Sequence, residues 1–289
     1  MEILHQSVID CLVMRVSTLK GELLVLNTNV DTTFNIRVYD RNNMTSVKDV
    51  IVLLPGERGP LADMAACNVT DCIYALEQHL DARGSSIFRI KRDERHQSHV
   101  QTWISDLSYS FPYMNVSAEG RLIIISPLLS PEGLRCGNDE VSIFDTNGSL
   151  QRVVVLSPDI YGFQYSESVM EKPDGNLVIS YVNQQYDAGI MEIDMNGIIE
   201  RKHKLSSDGG TNINFADTSG RILANHWQFT IVLLDSELNE LDYIRPQPDQ
   251  DDFHMFCGLH HNRERNEVVG FHVLEDANTV LTIFRFNEE

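Results

Sequence analysis

The chain has no apolar run of about eighteen residues, so nothing in it reads as a membrane-spanning helix. The opening "MEILHQSVIDCLVMRV" lacks a basic start and a clean apolar stretch, because Glu2, His5, Gln6 and Asp10 interrupt it, and no signal peptide is read there. Basic side chains are scarce. Against 42 Asp and Glu stand 23 Lys and Arg, a formal charge of −19, which repels phosphate backbones and anionic lipid and disfavours nucleic acid or a membrane as partner. Cysteine is sparse too. Cys11, Cys67, Cys72, Cys136 and Cys257 are odd in number and scattered, with Cys67 and Cys72 alone close together. That is no disulfide framework, and buried thiols in a reducing, cytoplasmic compartment are expected. Long stretches with a 3.6-residue apolar period are missing, which excludes helical repeats. No Gly-x-Ser-x-Gly nucleophile motif occurs, so nothing announces a hydrolase of that kind.

What is present is a repeat. The segment "VSIFDTNGSLQRVVVL" has Asn147-Gly148 between two alternating apolar runs, a strong sign of a two-residue hairpin. Related segments surround Asp40, Arg89, Asp194, Asp235 and Arg285, and the six anchors are spaced by 41 to 56 residues, averaging 49. Before most anchors lies a second strand pair: "VSTLKGELLVL", "VSAEGRLIIIS", "MEKPDGNLVIS" and "FADTSGRILAN", turning at Gly21, Gly120, Gly175 and Gly220. Two weaker copies put Asp71 and Asn266 in the glycine place. Asn147-Gly148-Ser149 is also a glycosylation triplet, but the equivalent Asp194-Met195-Asn196-Gly197 has no hydroxyl to follow, so the recurring feature is the turn.

Four short strands per unit, six units in the chain, is the signature of an all-β, six-bladed β-propeller. The blades fall at about 13–56, 61–105, 113–157, 166–206, 212–245 and 256–286, one domain over 1–289. The last repeat is one strand short. "EILHQSVI", within residues 1–10, alternates like an outer strand and is expected to pair with the last blade, closing it.

The strand pair "dG.L.i" followed by "i.vfD.nG.l" is best seen as Glu119-Gly120-Arg121-Leu122 with Ile143-Phe144-Asp145-Thr146-Asn147-Gly148. In this the chain resembles the NHL-repeat propellers found at the C-terminal end of tripartite-motif proteins, and the wider TolB-like six-bladed class. The repeat, the acidic charge and the lack of catalytic motifs together point to a non-catalytic module that presents an acidic, aromatic-bearing loop face to a protein or peptide.

Two connections carry aromatic groups: Tyr109, Phe111 and Tyr113, then Tyr161, Phe163 and Tyr165. With Arg245 on a third connection they are the candidate partner-binding residues, since aromatics on loops are enriched in interfaces. The competing reading is that they plug the gap between blades. Asp249, Asp251 and Asp252 with His254, His260 and His261 match no metal-ligand spacing and read as a solvated acidic loop. The run "RIKRDERHQSH" reads as a solvated hairpin.

The alternative function belongs to another class. Calcium-dependent lactonase- or esterase-like propellers hold their metal on oxygens at the starts of inner strands, where this chain has Asp63, Asn115, Glu167 and Asn214. On that reading calcium is the cofactor; on the leading one there is none.

Overall fold

The computed structural model describes residues 1–28, 34–52, 61–79, 84–92, 98–107, 112–129, 135–208, 211–215, 217–226, 230–244, 256–274 and 278–286. They form six four-stranded antiparallel sheets, the architecture of a six-bladed β-propeller. Strand β1 (Glu2–Ile9) comes first, and blade 1 follows as β2 (Leu12–Leu19), β3 (Glu22–Thr28), β4 (Phe34–Asp40) and β5 (Asn43–Val52). Blade 2 is β6 (Leu61–Cys67), β7 (Cys72–Gln78), β8 (Ser85–Arg92) and β9 (Ser98–Leu107). Blade 3 is β10 (Tyr113–Val116), β11 (Leu122–Leu129), β12 (Arg135–Phe144) and β13 (Leu150–Leu156). A single helical turn, α1 (Pro158–Tyr161), leads into blade 4: β14 (Tyr165–Glu171), β15 (Leu177–Val182), β16 (Asp187–Ile193) and β17 (Ile199–Asp208). Blade 5 is β18 (Thr211–Phe215), β19 (Ile222–His226), β20 (Thr230–Leu234) and β21 (Glu240–Ile244). Blade 6 is β22 (Phe256–Asn262), β23 (Glu267–Val273) and β24 (Thr279–Arg285), and its fourth strand is β1. No helix of the described residues is long and apolar enough to cross a membrane.

The chain divides into two compact units, Leu54–Gly210 with blades 2 to 4, and Met1–Leu53 plus Thr211–Glu289 with blades 1, 5 and 6. In the first unit, blade 3 explains why a strand such as "LIIIS" does not alternate. Ile123 and Ile125 pack with Val169, Ile179 and Met191 of blade 4, while Leu122 and Ile124 pack with Tyr74, Leu76 and Ile87 of blade 2. A sheet covered on both faces needs apolar residues at every position of its central strands. In the second unit Val13, Val16, Leu23 and Val25 of blade 1 pack with Val269, Phe271, Leu281 and Ile283 of blade 6.

The expected closure is present. β1 pairs antiparallel with β24, from Glu2 opposite Arg285 to Ile9 opposite Thr279. The crossover from β1 to β2 is held by Thr279, whose buried Oγ1 donates to the Cys11 carbonyl at 2.7 Å and accepts the Val13 N–H at 3.3 Å. The chain's N-terminal strand thus supplies backbone partners that blade 6 lacks.

The recurring turn has a common physical basis. Asp145 Oδ1 accepts the N–H groups of Asn147 at 2.8 Å and Ser149 at 2.9 Å. Asp194 does the same for Asn196 and Ile198, and Asp235 for Glu237 and Asn239, all at 2.8 Å. One short carboxylate satisfies two turn amides that the ladder cannot reach. Gly148, at φ +90°, is fixed further by the Trp103 indole, since a Cβ there would lie 2.9 Å from Trp103 Cε2. Asn147 is therefore part of an outer hairpin tip packed against the preceding blade.

Candidate functional site

The loop end of blade 4 carries the candidate site. Two segments build it: the link from blade 3, Ser157 to Gln164, and the turn from Asn183 to Asp187 between β15 and β16. Helix α1 starts with Pro158 in its first turn, where a missing N–H is harmless. It stops at Gly162, left-handed at φ 69°, whose N–H bonds the Pro158 carbonyl at 2.6 Å. The Gln164 N–H then bonds the Val182 carbonyl at 2.7 Å, and Tyr165 pairs with Val182, so the link joins blade 4 beside the Asn183 turn.

The aromatic residues expected as a partner face divide on burial. Tyr161 is 5% exposed and Phe163 0%, and both belong to the core between blades 3 and 4. The Phe163 ring sits 6.1 Å from Tyr161 and 6.3 Å from Tyr181. The Tyr161 hydroxyl donates to the Gly197 carbonyl at 2.6 Å, tying the link to the outer turn of blade 4. These two rings fill the gap between blades 3 and 4 and leave little or no surface exposed. Tyr113 and Tyr165 are partly buried at the starts of β10 and β14, Tyr113 against the same core. Tyr109, Phe111 and Arg245 lie outside the described residues, as do Asp249, Asp251, Asp252 and His254.

Under the link, Lys202 Nζ donates to the Tyr161 carbonyl and lies 4.8 Å from the centre of the Tyr181 ring. Burial lowers the Lys202 pKa, and burial, then the nearby Asp187 charge, pushes the Tyr181 hydroxyl up to about 12. Asp187 is held below the usual carboxylate range by its bond from Lys204, 2.7 Å away, and by the Asn183 amide at 2.9 Å.

The Asn183 turn repeats the geometry of the Asp145 turn. Asn183 Oδ1 accepts the N–H groups of Gln185 at 2.8 Å and Asp187 at 2.9 Å, and the Tyr186 N–H bonds the Asn183 carbonyl at 3.0 Å. Tyr186 stands where the Asp145 and Asp194 turns place Gly148 and Gly197, at φ +66°. An L side chain in this conformation costs about 1–2 kcal/mol. The Asp235 turn also carries a bulky residue there, Leu238 at φ 68°, but Leu238 is buried at 3% exposure. Tyr186 is 60% exposed, and Ile160 on α1 is 74% exposed. No reading of aromatic spacing found these two. The signal was in "NQQYD", an Asx turn with tyrosine in the glycine place.

Three of the four inner-strand residues named for calcium, Asp63, Asn115 and Asn214, bond across to a neighbouring blade. Asp63 is buried, its Oδ1 accepting the Met64 N–H at 2.8 Å and its Oδ2 the Met114 N–H of β10 at 2.6 Å. Asn115 donates to the Val169 carbonyl of β14 at 3.1 Å and accepts the Val116 N–H at 2.8 Å. Asn214 donates to the Leu259 carbonyl of β22 at 2.9 Å and accepts from Phe215 at 3.0 Å and His261 at 3.2 Å. Glu167 sits at the register shift between Ser166 and Ser168. A hard cation takes six to eight oxygens, whereas Asp63, Asn115 and Asn214 have theirs turned to backbone amides. Among the described residues no group of three or more His, Cys, Asp or Glu is placed to hold a metal ion.

No family model matches the chain, and no curated protein matches it. Among solved structures it is similar to a protein of unknown function from Bacteroides caccae, at TM-score 0.59 and 12% identity, over 83% of this chain and 80% of that one. At that identity the likeness concerns the fold alone.

Proposed function

We propose that the chain is a non-catalytic propeller module of the NHL-like, TolB-like kind, binding a protein or peptide in the reducing cytoplasm. The observation that carries the reading is Tyr186, an exposed aromatic ring at a backbone position that favours glycine. Unfavourable backbone geometry without compensating burial points to a use for the side chain. Tyrosine brings large contact area with little conformational entropy to lose, and it recurs at interface hot spots. Ile160, on the link that joins blade 4 beside the Asn183 turn, is exposed as well. The charge of −19 favours a basic partner segment, whose Lys or Arg is drawn by the long-range field and stacks on the tyrosine face.

Selection of the full chain against a random peptide library tests this. Peptides enriched in Lys and Arg are expected, binding Tyr186→Gly about 30-fold more weakly, the effect of losing one hot-spot ring. An outer-strand control, Val153→Ser, should bind as the parent does. Equal binding by parent and Tyr186→Gly would place the site elsewhere.

A further inference from the structure

Cys67 and Cys72 face one another across the inner hairpin of blade 2, and nothing in the binding reading uses them. They are paired partners in the β6–β7 register, so their side chains emerge on the same face of the sheet. Both thiols are free and buried, in the cluster between blades 2 and 3. Thr70 lies against both, its Oγ1 2.8 Å from Cys72 Sγ and its N–H donating to Cys67 Sγ at 3.4 Å. Cys67 Sγ also reaches the Gly120 carbonyl of the next blade at 3.9 Å. The turn that joins the two cysteines has Asn68 and Val69 exposed, so the pair sits one residue from solvent.

We propose that this pair is a reversible thiol–disulfide site. Directly opposed residues of antiparallel strands have Cα atoms about 4.5–5.5 Å apart, inside the roughly 4.4–6.8 Å span of a disulfide. The co-reactant is a low-molecular-weight disulfide such as oxidised glutathione. One protein thiolate attacks a sulfur of that disulfide, breaking its S–S bond and releasing the first small thiolate. The second protein thiolate then attacks the mixed disulfide at the protein sulfur, forming Cys67–Cys72 and releasing the second. The two protons lost from the protein end on the two small thiols, and the small disulfide is reduced as the pair is oxidised. Closing the bond draws Cys67 Sγ from the Gly120 carbonyl, so oxidation alters the contact between the inner hairpins of blades 2 and 3.

The full chain, purified reduced, is exposed to oxidised glutathione under native conditions, quenched, alkylated with N-ethylmaleimide and digested with trypsin. The fragment 59–83 is expected unlabelled and about 2 Da lighter than its reduced form, with dithiothreitol restoring both labels. Cys11→Ser should leave this unchanged, while Cys67→Ser and Cys72→Ser should each abolish the lighter species. A fragment that keeps both labels, that stops at the glutathione adduct, or that closes only in urea overturns the proposal. The measurement on the unsubstituted chain decides this even where a serine variant misfolds.

Discussion

Replacing Tyr186 with glycine separates a recognition residue from a packing residue, because the same substitution can be made at Leu238 in a turn of the same geometry. Both residues sit in the left-handed region, at φ 66° and 68°. Glycine relieves about 1–2 kcal/mol of backbone strain at either position and returns roughly 0.5–1 kcal/mol in unfolded-chain entropy. What differs is burial. Tyr186 is 60% exposed and the contact it loses is worth about 1 kcal/mol, whereas Leu238, at 3%, forfeits its transfer energy and leaves a cavity, about 2–5 kcal/mol in total. Tyr186→Gly is therefore expected within about 1 kcal/mol of the parent, and Leu238→Gly about 2–3 kcal/mol below it. At this chain length 1 kcal/mol moves Tm by about 2 °C, so the pair should part by at least about 2 °C in a melt followed by circular dichroism. If Tyr186→Gly falls as far as Leu238→Gly, the tyrosine belongs to the framework and the argument from strain to recognition fails.

Three further perturbations test the framework. Gly148→Ala and Gly175→Ala impose the same strain at φ 90° and 89°, but the new methyl meets Trp103 at the first and nothing within 4 Å at the second. Gly148→Ala should lose about 1–3 kcal/mol more than Gly175→Ala, and equal losses in urea titrations would mean that the indole gives way freely. Thr279→Val strips the Cys11 carbonyl and the Val13 N–H of a buried partner and should lower stability by about 1–3 kcal/mol; a melt unchanged from the parent's would show that the β1 closure does not depend on it. His260 and His261 are held down to about 3 and about 4, chiefly by burial, so both stay neutral in the fold while the unfolded chain takes up their protons below about 6.5. Stability is then full above pH 6.5 and lost as pH falls towards 4, by up to about 2 kcal/mol per histidine at pH 5. Asp217 and Glu192, whose pKa values are lowered, add their losses only below the ordinary carboxylate range. A stability flat between pH 7 and 5 would contradict the burial of both imidazoles.

The repeat was legible because its turn chemistry is local. An Asp that bonds the amides two and four residues on, with Asn-Gly between, writes the same short string wherever the outer hairpin recurs, as at Asp145 and Asp194. The strand runs were legible as β for a related reason, since blades covered on both faces need Leu122 to Ile125 apolar without a break. Side-chain direction was not. Tyr161 and Phe163 sit in a link between blades, where no strand alternation fixes which way a ring points, and both turn into the core. Tyr186 escaped for the opposite reason. Its turn has Asn183 for the usual Asp and tyrosine for the usual glycine, so the string was altered while the hydrogen bonds stayed the same.

Asp63, Asn115 and Asn214 show why polar residues on inner strands are poor guides to chemistry in this fold. Neighbouring inner strands lie in different sheets, so no backbone ladder joins them, and their facing amides and carbonyls still need partners. A short side chain with an oxygen acceptor meets that need, and in Asn an amide donor meets it in both directions, as Asn115 does towards Val169 and Asn214 towards Leu259. The same residue types at the same places would serve to hold a cation, and sequence cannot separate the two uses. Where both carboxylate oxygens of Asp63 accept from backbone N–H groups, one of them in the next blade, the residue acts as a tie between sheets.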